Sequence, residues 1–276
     1  MTPSDREATG QRIARARRRE VSLDFLRVQA LSAYQAYQAT RYEATGRILP
    51  GLIRAVETAA RVAGSASPAA CEVRALVYDT AAALLSRVGE PFLAWAAADR
   101  AMFAAEHSGD PLLVAASAWR LTYMITGRKH PQEALELAMT AVAALERTMR
   151  APSPERLSVY GALHLAAATA AAASLDRATT ESLLATARGI ADRTGEANHM
   201  GTAFGPVNIA IHAISASLKL GDPASCGPKC SVRSGMDTSA RSSRRRWYCT
   251  GSTITTASMN AASHARTIGV RSANCC

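Results

Sequence analysis

Apolar residues recur at spacings of three and four from about residue 21 to about residue 220, which is the period of an amphipathic helix. Glycine and proline interrupt this pattern at intervals of about 20 residues. No segment alternates apolar and polar residues as a half-buried strand does. The pattern therefore predicts an all-α chain with helices at 22–39, 42–62, 69–87, 91–107, 111–126, 131–149, 154–173, 177–194 and 205–220.

The predicted helix ends carry capping residues. Three helices begin with an oxygen acceptor followed by proline, at Ser67 and Pro68, Asp110 and Pro111, and Ser153 and Pro154. Glycines stand where helices should end, because glycine adopts the left-handed cap conformation at little cost. These are Gly89, Gly109, Gly127, Gly195 and Gly221.

The helices are spaced as pairs. Pro91 and Pro131, which each open the second helix of a pair, are 40 residues apart, and Gly89 and Gly127 are 38 apart. A helix-pair period of this size predicts a tetratricopeptide-like α-solenoid. Small residues that let helices approach closely recur in the second helices, as Ala94, Ala97, Ala98 and Ala101 and as Ala134, Ala138 and Ala141.

The first helix of each pair carries polar or aromatic residues four positions apart, which places them on one helix face. In a solenoid these faces line the concave surface, so the pairs predict a groove for a peptide or an amphipathic small molecule. The alternative is that the aromatic residues fill gaps between alanine-rich helices. The groove candidates are Tyr34, Gln38, Arg74, Tyr78, Trp119, Tyr123, Tyr160, His164, Asn208 and His212.

Charge and composition divide the chain into three parts. Residues 1–20 hold six arginines against three acids, residues 21–223 are balanced, and residues 224–276 hold eight basic residues against one acid. We predict a basic segment at 1–20, the repeat domain at 21–223 and a disordered tail at 224–276. The tail contains no leucine and no glutamate, which favours translation out of frame over a natural basic tail.

Motifs for chemistry are missing from the sequence. It lacks the HExxH, Gly-x-Ser-x-Gly and Gly-rich phosphate-binding motifs, so we expect no enzyme, no catalytic residues and no cofactor. Cys226, Cys230, Cys249 and His264 fit no zinc spacing that we know, and we expect no metal. The single cysteine of the repeat domain, Cys71, is expected to be a buried apolar residue. With neither a secretory signal nor a membrane span, a cytoplasmic protein is expected.

The stretch "GTAFGPVNIAIH" at 201–212 predicts a turn directly before a helix. The free amides of that helix start provide a site for an anionic group. The alternative is a structural one, in which Phe204 packs as a hydrophobic staple at the helix entry.

Several segments of the repeat domain resemble one known family. "AYQAYQATRYEATGRILPGL" (33–52), "GEPFLAWAAADRA" (89–101), "GDPLLVAASAWRL" (109–121), "SPERLSVYGALHLAAA" (153–168) and "GTAFGPVNIAIH" are similar to the C-terminal region of Cro/repressor-type helix-turn-helix transcriptional regulators of the xenobiotic-response-element type. The resemblance implies a tetratricopeptide-like sensor region that binds a small molecule or peptide and supports a homodimer. The alternative is a repeat adaptor that binds protein partners.

The N-terminus departs from the family plan. "TGQRIARARRRE" (9–20) resembles the first helix of the family's DNA-binding domain, but the two helices that would enter the major groove are absent. A single basic helix contacts phosphates without reading bases. We therefore expect only weak, non-specific DNA binding, through Arg12, Arg15, Arg18 and Arg19, and no membrane association.

Overall fold

The computed structural model of the chain describes residues 22–64, 67–150 and 152–222. The predictions for residues 1–20 and 224–276 therefore lie outside the described residues. In the described ranges the secondary structure consists of nine α-helices and one short 3-10 turn, His199–Gly201, without a strand. The helices are α1 (Leu23–Gln38), α2 (Tyr42–Ala63), α3 (Pro68–Arg87), α4 (Pro91–Ser108), α5 (Pro111–Gly127), α6 (Pro131–Glu146), α7 (Pro154–Ala173), α8 (Arg177–Thr194) and α9 (Pro206–Lys219).

All nine predicted helices are confirmed, and their ends lie within three residues of the predicted positions. The chain divides into two compact units. The first unit extends to Leu113 and contains α1 to α4, and the second begins at Val114 and contains most of α5 together with α6 to α9. The boundary between the two units lies within the first turn of α5, and the repeat domain predicted at 21–223 stays a prediction.

In the first unit, α3 is the central helix. It packs on α1, α2 and α4, and eleven of its twenty residues are buried. Cys71 is among them, at 1% exposure, as the sequence predicted. The first helices of two consecutive pairs, α1 and α3, are in contact, which is the arrangement of stacked helical repeats. The four predicted small residues of α4, Ala94, Ala97, Ala98 and Ala101, are all buried.

In the second unit, α7 has the central position. It packs on α6, α8 and α9, and thirteen of its twenty residues are buried, most of them alanine. Ala134, Ala138 and Ala141 of α6 are buried too. The first helices of consecutive pairs, α7 and α9, again contact each other. The predicted all-α fold of stacked helix pairs, typical of the α-solenoid class, is therefore found in each unit.

The predicted N-terminal caps are present at two of three helices. Asp110 Oδ1 accepts a hydrogen bond from Leu112 N at 2.9 Å, and Ser153 Oγ accepts one from Arg156 N at 3.4 Å. Ser67 makes no side-chain cap bond, so α3 depends on Pro68 and on packing alone. The preference of proline for the first helical position thus predicts the start of α3 correctly, although the expected cap bond from Ser67 is missing.

The left-handed conformation predicted for the glycines at helix ends is found at four of five positions. Positive φ angles occur at Gly89, Gly109, Gly195 and Gly221. Gly127 ends α5 as predicted, but the left-handed conformation expected of it occurs at Lys129 instead, with φ of 67°. The chain thus turns two residues later than the glycine indicated.

Candidate functional site

The groove candidates fall into both units, so each unit is described by itself. Tyr34, Gln38, Arg74 and Tyr78 belong to the first unit, and the other six belong to the second. The stripe predicted to run along all the first helices therefore stays a prediction. Arg12, Arg15, Arg18 and Arg19 lie outside the described residues.

Tyr34 and Gln38 lie together on α1, as predicted from their spacing. Gln38 Nε2 donates a hydrogen bond to Tyr34 Oη at 3.2 Å. The Tyr34 ring stacks on Tyr37, whose ring contacts Tyr42, with centroid distances of 6.0 and 5.6 Å. Arg87 closes this aromatic row by donating to Tyr42 Oη at 3.1 Å. The two candidates thus form one end of a row of aromatic side chains.

Arg74 and Tyr78 lie against the second helix of the preceding pair. Arg74 Nε and Tyr78 Oη both donate to Glu57 Oε1 of α2, at 2.9 and 3.0 Å. Burial raises the pKa of Tyr78, and the hydrogen bond and negative charge of Glu57 raise it further. The guanidinium of Arg100 lies 5.7 Å from the Tyr78 ring. The polar groups of this pair therefore bind α3 to α2 within the first unit.

The second unit brings three of the predicted residues into one cluster. Trp119 and Tyr123 of α5 meet edge to face, with ring centroids 5.8 Å apart. Tyr123 Oη lies 3.4 Å from Nε2 of His212 on α9. Thr169 of α7, which the sequence reading missed, lies 3.1 Å from His212 Nδ1 through its Oγ1. We call Trp119, Tyr123, Thr169 and His212 the histidine cluster.

The hydrogen bonds of the histidine cluster define the protonation state of His212. Thr169 Oγ1 donates its proton to Leu165 O at 2.9 Å, so it accepts from the Nδ1–H of His212. Nε2 then has no proton and accepts from Tyr123 Oη. This is a neutral imidazole. Burial lowers the pKa of His212 to about 4, and the positive charge of Lys219 lowers it too.

Tyr123 keeps its proton in this environment. Burial raises its pKa well above the ordinary value for tyrosine, while hydrogen bonds with Thr169 and Trp119 act in the opposite direction. The hydroxyl is thus a hydrogen-bond donor over the whole physiological pH range. The cluster is a neutral polar network at that pH.

Asn208 lies on the same face of α9, one turn before His212. Its side chain is buried, with 7% exposure, yet in the described part of the chain its Oδ1 has no hydrogen-bond partner. Lys219 is two turns beyond His212, and burial lowers the pKa of its amine. Helical geometry places Asn208, His212 and Lys219 within about 40° of one another around the axis. We call these three residues the polar face of α9.

Tyr160 and His164 of α7 form a separate contact. Their rings meet edge to face at 4.6 Å, and His164 Nδ1 lies 2.8 Å from Tyr160 O. Burial lowers the pKa of His164, and it raises the pKa of Tyr160 together with the charge of Glu146. His164 is therefore neutral and bonded within its own helix.

The segment before α9 corrects the expectation of an anion site. Val207 N, at the start of α9, donates to Glu196 Oε1 at 2.8 Å. The chain thus supplies its own carboxylate where an external anion was expected. Phe204 has a structural role, as the alternative supposed, because it is fully buried. It packs so closely on Gly161 of α7 that a Cβ atom built on this glycine would lie 2.1 Å from Phe204 Cζ.

Thr169 and Glu196 were missed for different reasons. Thr169 is the only polar residue in the run "LAAATAAAA" at 165–173, and a lone polar residue in a buried run is a usable signal. Glu196 precedes Val207 by eleven residues, and its role depends on how the intervening loop folds back. Sequence spacing gives no indication of that.

Neither a family model nor a curated protein nor a solved structure matches this chain. Within the described ranges, no three side chains of the His, Cys, Asp and Glu types gather closely enough to hold a metal ion. The helices described are also too short or too polar for any of them to cross a membrane.

Proposed function

We propose that residues 22–222 form the sensing region of a transcriptional regulator, and that the region binds an extended peptide or a similar amphipathic molecule along the polar face of α9. The proposal depends above all on Asn208, whose buried Oδ1 has no hydrogen-bond partner among the described residues. An unsatisfied buried acceptor costs about 1–3 kcal/mol, so a ligand that donates to it recovers that energy.

The chemistry of the polar face favours a peptide. Asn208 presents an amide, which matches the N–H and C=O of a peptide group. Lys219 presents a half-buried cation, which suits a carbonyl or a carboxylate. Asn208 and Lys219 are eleven positions apart, which is about 16 Å along a helix, and about five extended residues cover that distance.

The histidine cluster supports the same proposal by fixing α9. His212 is bonded through both ring nitrogens, to Thr169 of α7 and to Tyr123 of α5. These bonds hold α9 in one rotational position, so Asn208 and Lys219 are presented in a fixed geometry. A preorganised site loses less conformational entropy when it binds.

The regulator context comes from the resemblance of the five segments to sensor regions of helix-turn-helix regulators. A sensor region requires a binding site and a rigid scaffold. We assign the binding site to the polar face of α9, and the histidine cluster holds that face rigidly in place. Residues 9–20 resemble only the first helix of the family's DNA-binding domain, so we assign this chain the sensing role and only non-specific contact with DNA.

A thermal-shift screen of the full chain with pools of blocked pentapeptides tests the proposal. A peptide at ten times its Kd stabilises the fold by about 1.4 kcal/mol, which raises Tm by about 3–6 °C. The variant Asn208→Leu should lose this shift. Without a peptide it should be as stable as the wild type or more stable, because it removes an unsatisfied buried acceptor.

Asn198→Leu is the matched control. Asn198 Oδ1 accepts a hydrogen bond from Ala203 N at 3.0 Å, so this variant should lose about 1 kcal/mol of stability but keep the peptide response. The proposal fails if no pool raises Tm of the wild type. It also fails if Asn208→Leu is destabilised as much as Asn198→Leu, because the amide would then have a structural partner.

A further inference from the structure

The outer side of α9 carries a groove that is distinct from its polar face. The groove lies between α8 and α9, has a volume of about 560 Å³, and has an apolar floor that includes Leu184, Ile209 and Ala213. Beyond it, Val207 and Leu218 of α9 are 55% and 42% exposed. Apolar surface that stays exposed to water is unfavourable, so this side of α9 favours a covering partner.

Charged residues along the α8 side of the groove alternate in sign. They are Arg177, Glu181, Arg188 and Asp192, and all four line the groove. Their positions fall within about 60° around the helix axis, so they form a single row. The order along α8 is therefore positive, negative, positive, negative.

When a second copy of this row runs in the opposite direction, each positive residue stands opposite a negative one. In an antiparallel pair of identical helices related by a two-fold axis, residues equally far from the axis face each other. Positions 177 and 192 lie equally far from the midpoint of 184 and 185, and so do positions 181 and 188. Arg177 thus faces Asp192 of the partner subunit, and Glu181 faces Arg188 of the partner subunit.

We propose that the α8–α9 groove is the interface of a two-fold symmetric homodimer, in which a second copy of this chain covers the apolar side of α9. Each ion pair then occurs twice, and Leu184 lies beside the two-fold axis. Within the described residues, Arg188 and Asp192 have no ion-pair partner in their own chain. Arg177 pairs only at 3.5–3.6 Å, with Asp222 and Glu181.

The charge pattern favours a second copy over the remainder of the chain as the cover. Residues 224–276 contain eight basic side chains and a single acidic one, Asp237. They provide one carboxylate for two arginines, and their excess positive charge opposes both. A second copy of α8 supplies the correct charge at all four positions.

Sedimentation velocity of the full chain over a wide concentration range tests the proposal. The wild type should show a monomer–dimer equilibrium that weakens as salt is added, because exposed ion pairs are screened. Arg188→Glu brings a carboxylate opposite Glu181 of the partner subunit at two symmetric places. We expect this variant to raise the dimer Kd by about tenfold or more.

Two further variants separate the interface from a general effect of charge. The double variant Glu181→Arg/Arg188→Glu restores opposite charges across the two-fold axis and should recover the wild-type Kd to within about twofold. Arg193→Glu makes the same charge change on the same helix but away from the groove, and it should leave the Kd unchanged. Helix content by circular dichroism should be equal in all variants.

Each result of these sedimentation experiments either supports the homodimer or overturns it. Dimerisation lost in the single variant and regained in the double variant supports the two-fold register. A wild type that is monomeric at every concentration overturns the proposal, whether residues 223–276 cover the groove or nothing does. Equal weakening by Arg188→Glu and Arg193→Glu overturns it as well.

Discussion

Replacement of Gly161 by alanine tests how closely the segment before α9 is packed on α7. A Cβ atom at this position would lie 2.1 Å from Cζ of Phe204 and 2.4 Å from its Cε2. Ordinary carbon contacts are about 3.5–4.0 Å, so the ring would have to move by about 1.5 Å. Phe204 is fully buried, so its ring has no open space to move into. The adjacent Gly205 is closely packed as well, because the side chain of Glu196 occupies the place where a Cβ would stand.

The change in the free energy of unfolding caused by Gly161→Ala is the sum of two opposing effects. Alanine is the better helix former by about 1 kcal/mol, which favours the variant. Overpacking costs about 1–3 kcal/mol, and expelling the phenylalanine ring raises the loss to about 3–5 kcal/mol. We expect Gly161→Ala to lose about 2 kcal/mol in net terms, which lowers Tm by about 4–8 °C.

Urea denaturation followed by circular dichroism measures this loss, and Gly189→Ala is the matched control. Gly189 lies on α8, is exposed, and a Cβ there meets nothing within 4 Å. That variant should gain about 0.5–1 kcal/mol from helix propensity alone. The two substitutions are chemically identical and are expected to have opposite signs.

A double variant isolates the contact itself. Phe204→Leu shortens the side chain, so Gly161→Ala/Phe204→Leu should be destabilised by at least about 1 kcal/mol less than the sum of its single variants. The reasoning is refuted if Gly161→Ala is as stable as the wild type. Additive effects in the double variant would also refute it, because they would place the loss outside the contact between these two residues.

Two further predictions concern His212 and Glu196. Folding lowers the pKa of His212 from 6.5 to about 4, so the unfolded chain binds more protons between these values and stability falls as pH falls through this window. Urea denaturation should show that the free energy of unfolding falls by about 2 kcal/mol between pH 7 and pH 5. His212→Gln should reduce this loss, and an unchanged loss would show that His212 is not its cause. Glu196→Ala removes the acceptor for Val207 N and should cost about 1 kcal/mol in the same measurement. Glu196→Gln retains an oxygen acceptor and should cost less, and an equal loss would show that the hydrogen bond is not the cause.

The sequence predicts helix boundaries well because their determinants are local. Pro91, Pro131 and Pro154 each occupy the first position of a helix, as their fixed φ angle and missing N–H favour. Such signals act within a few residues and do not depend on the rest of the fold. The exception, at Gly127 and Lys129, shifts the turn by only two residues.

The candidate site is predicted only in part, because the direction of a helix face depends on tertiary packing. A spacing of four residues shows that Arg74 and Tyr78 share a face, but the structure is needed to show that Glu57 occupies it. The same spacing correctly joins Trp119 to Tyr123. It gives no indication that Thr169, 43 residues before His212, bonds to the imidazole ring.

The alanine-rich surface of α7 has a consequence for how the second unit opens. Alanine has the highest intrinsic helix propensity, so the helical conformation of this segment is favoured by the chain itself as well as by packing. From Ala166 to Ala173 every side chain except that of Thr169 is alanine, which lets the packed helices α6, α8 and α9 approach the backbone closely. Helix α7 is enclosed by these three neighbours, so opening its innermost amides requires the neighbours to separate.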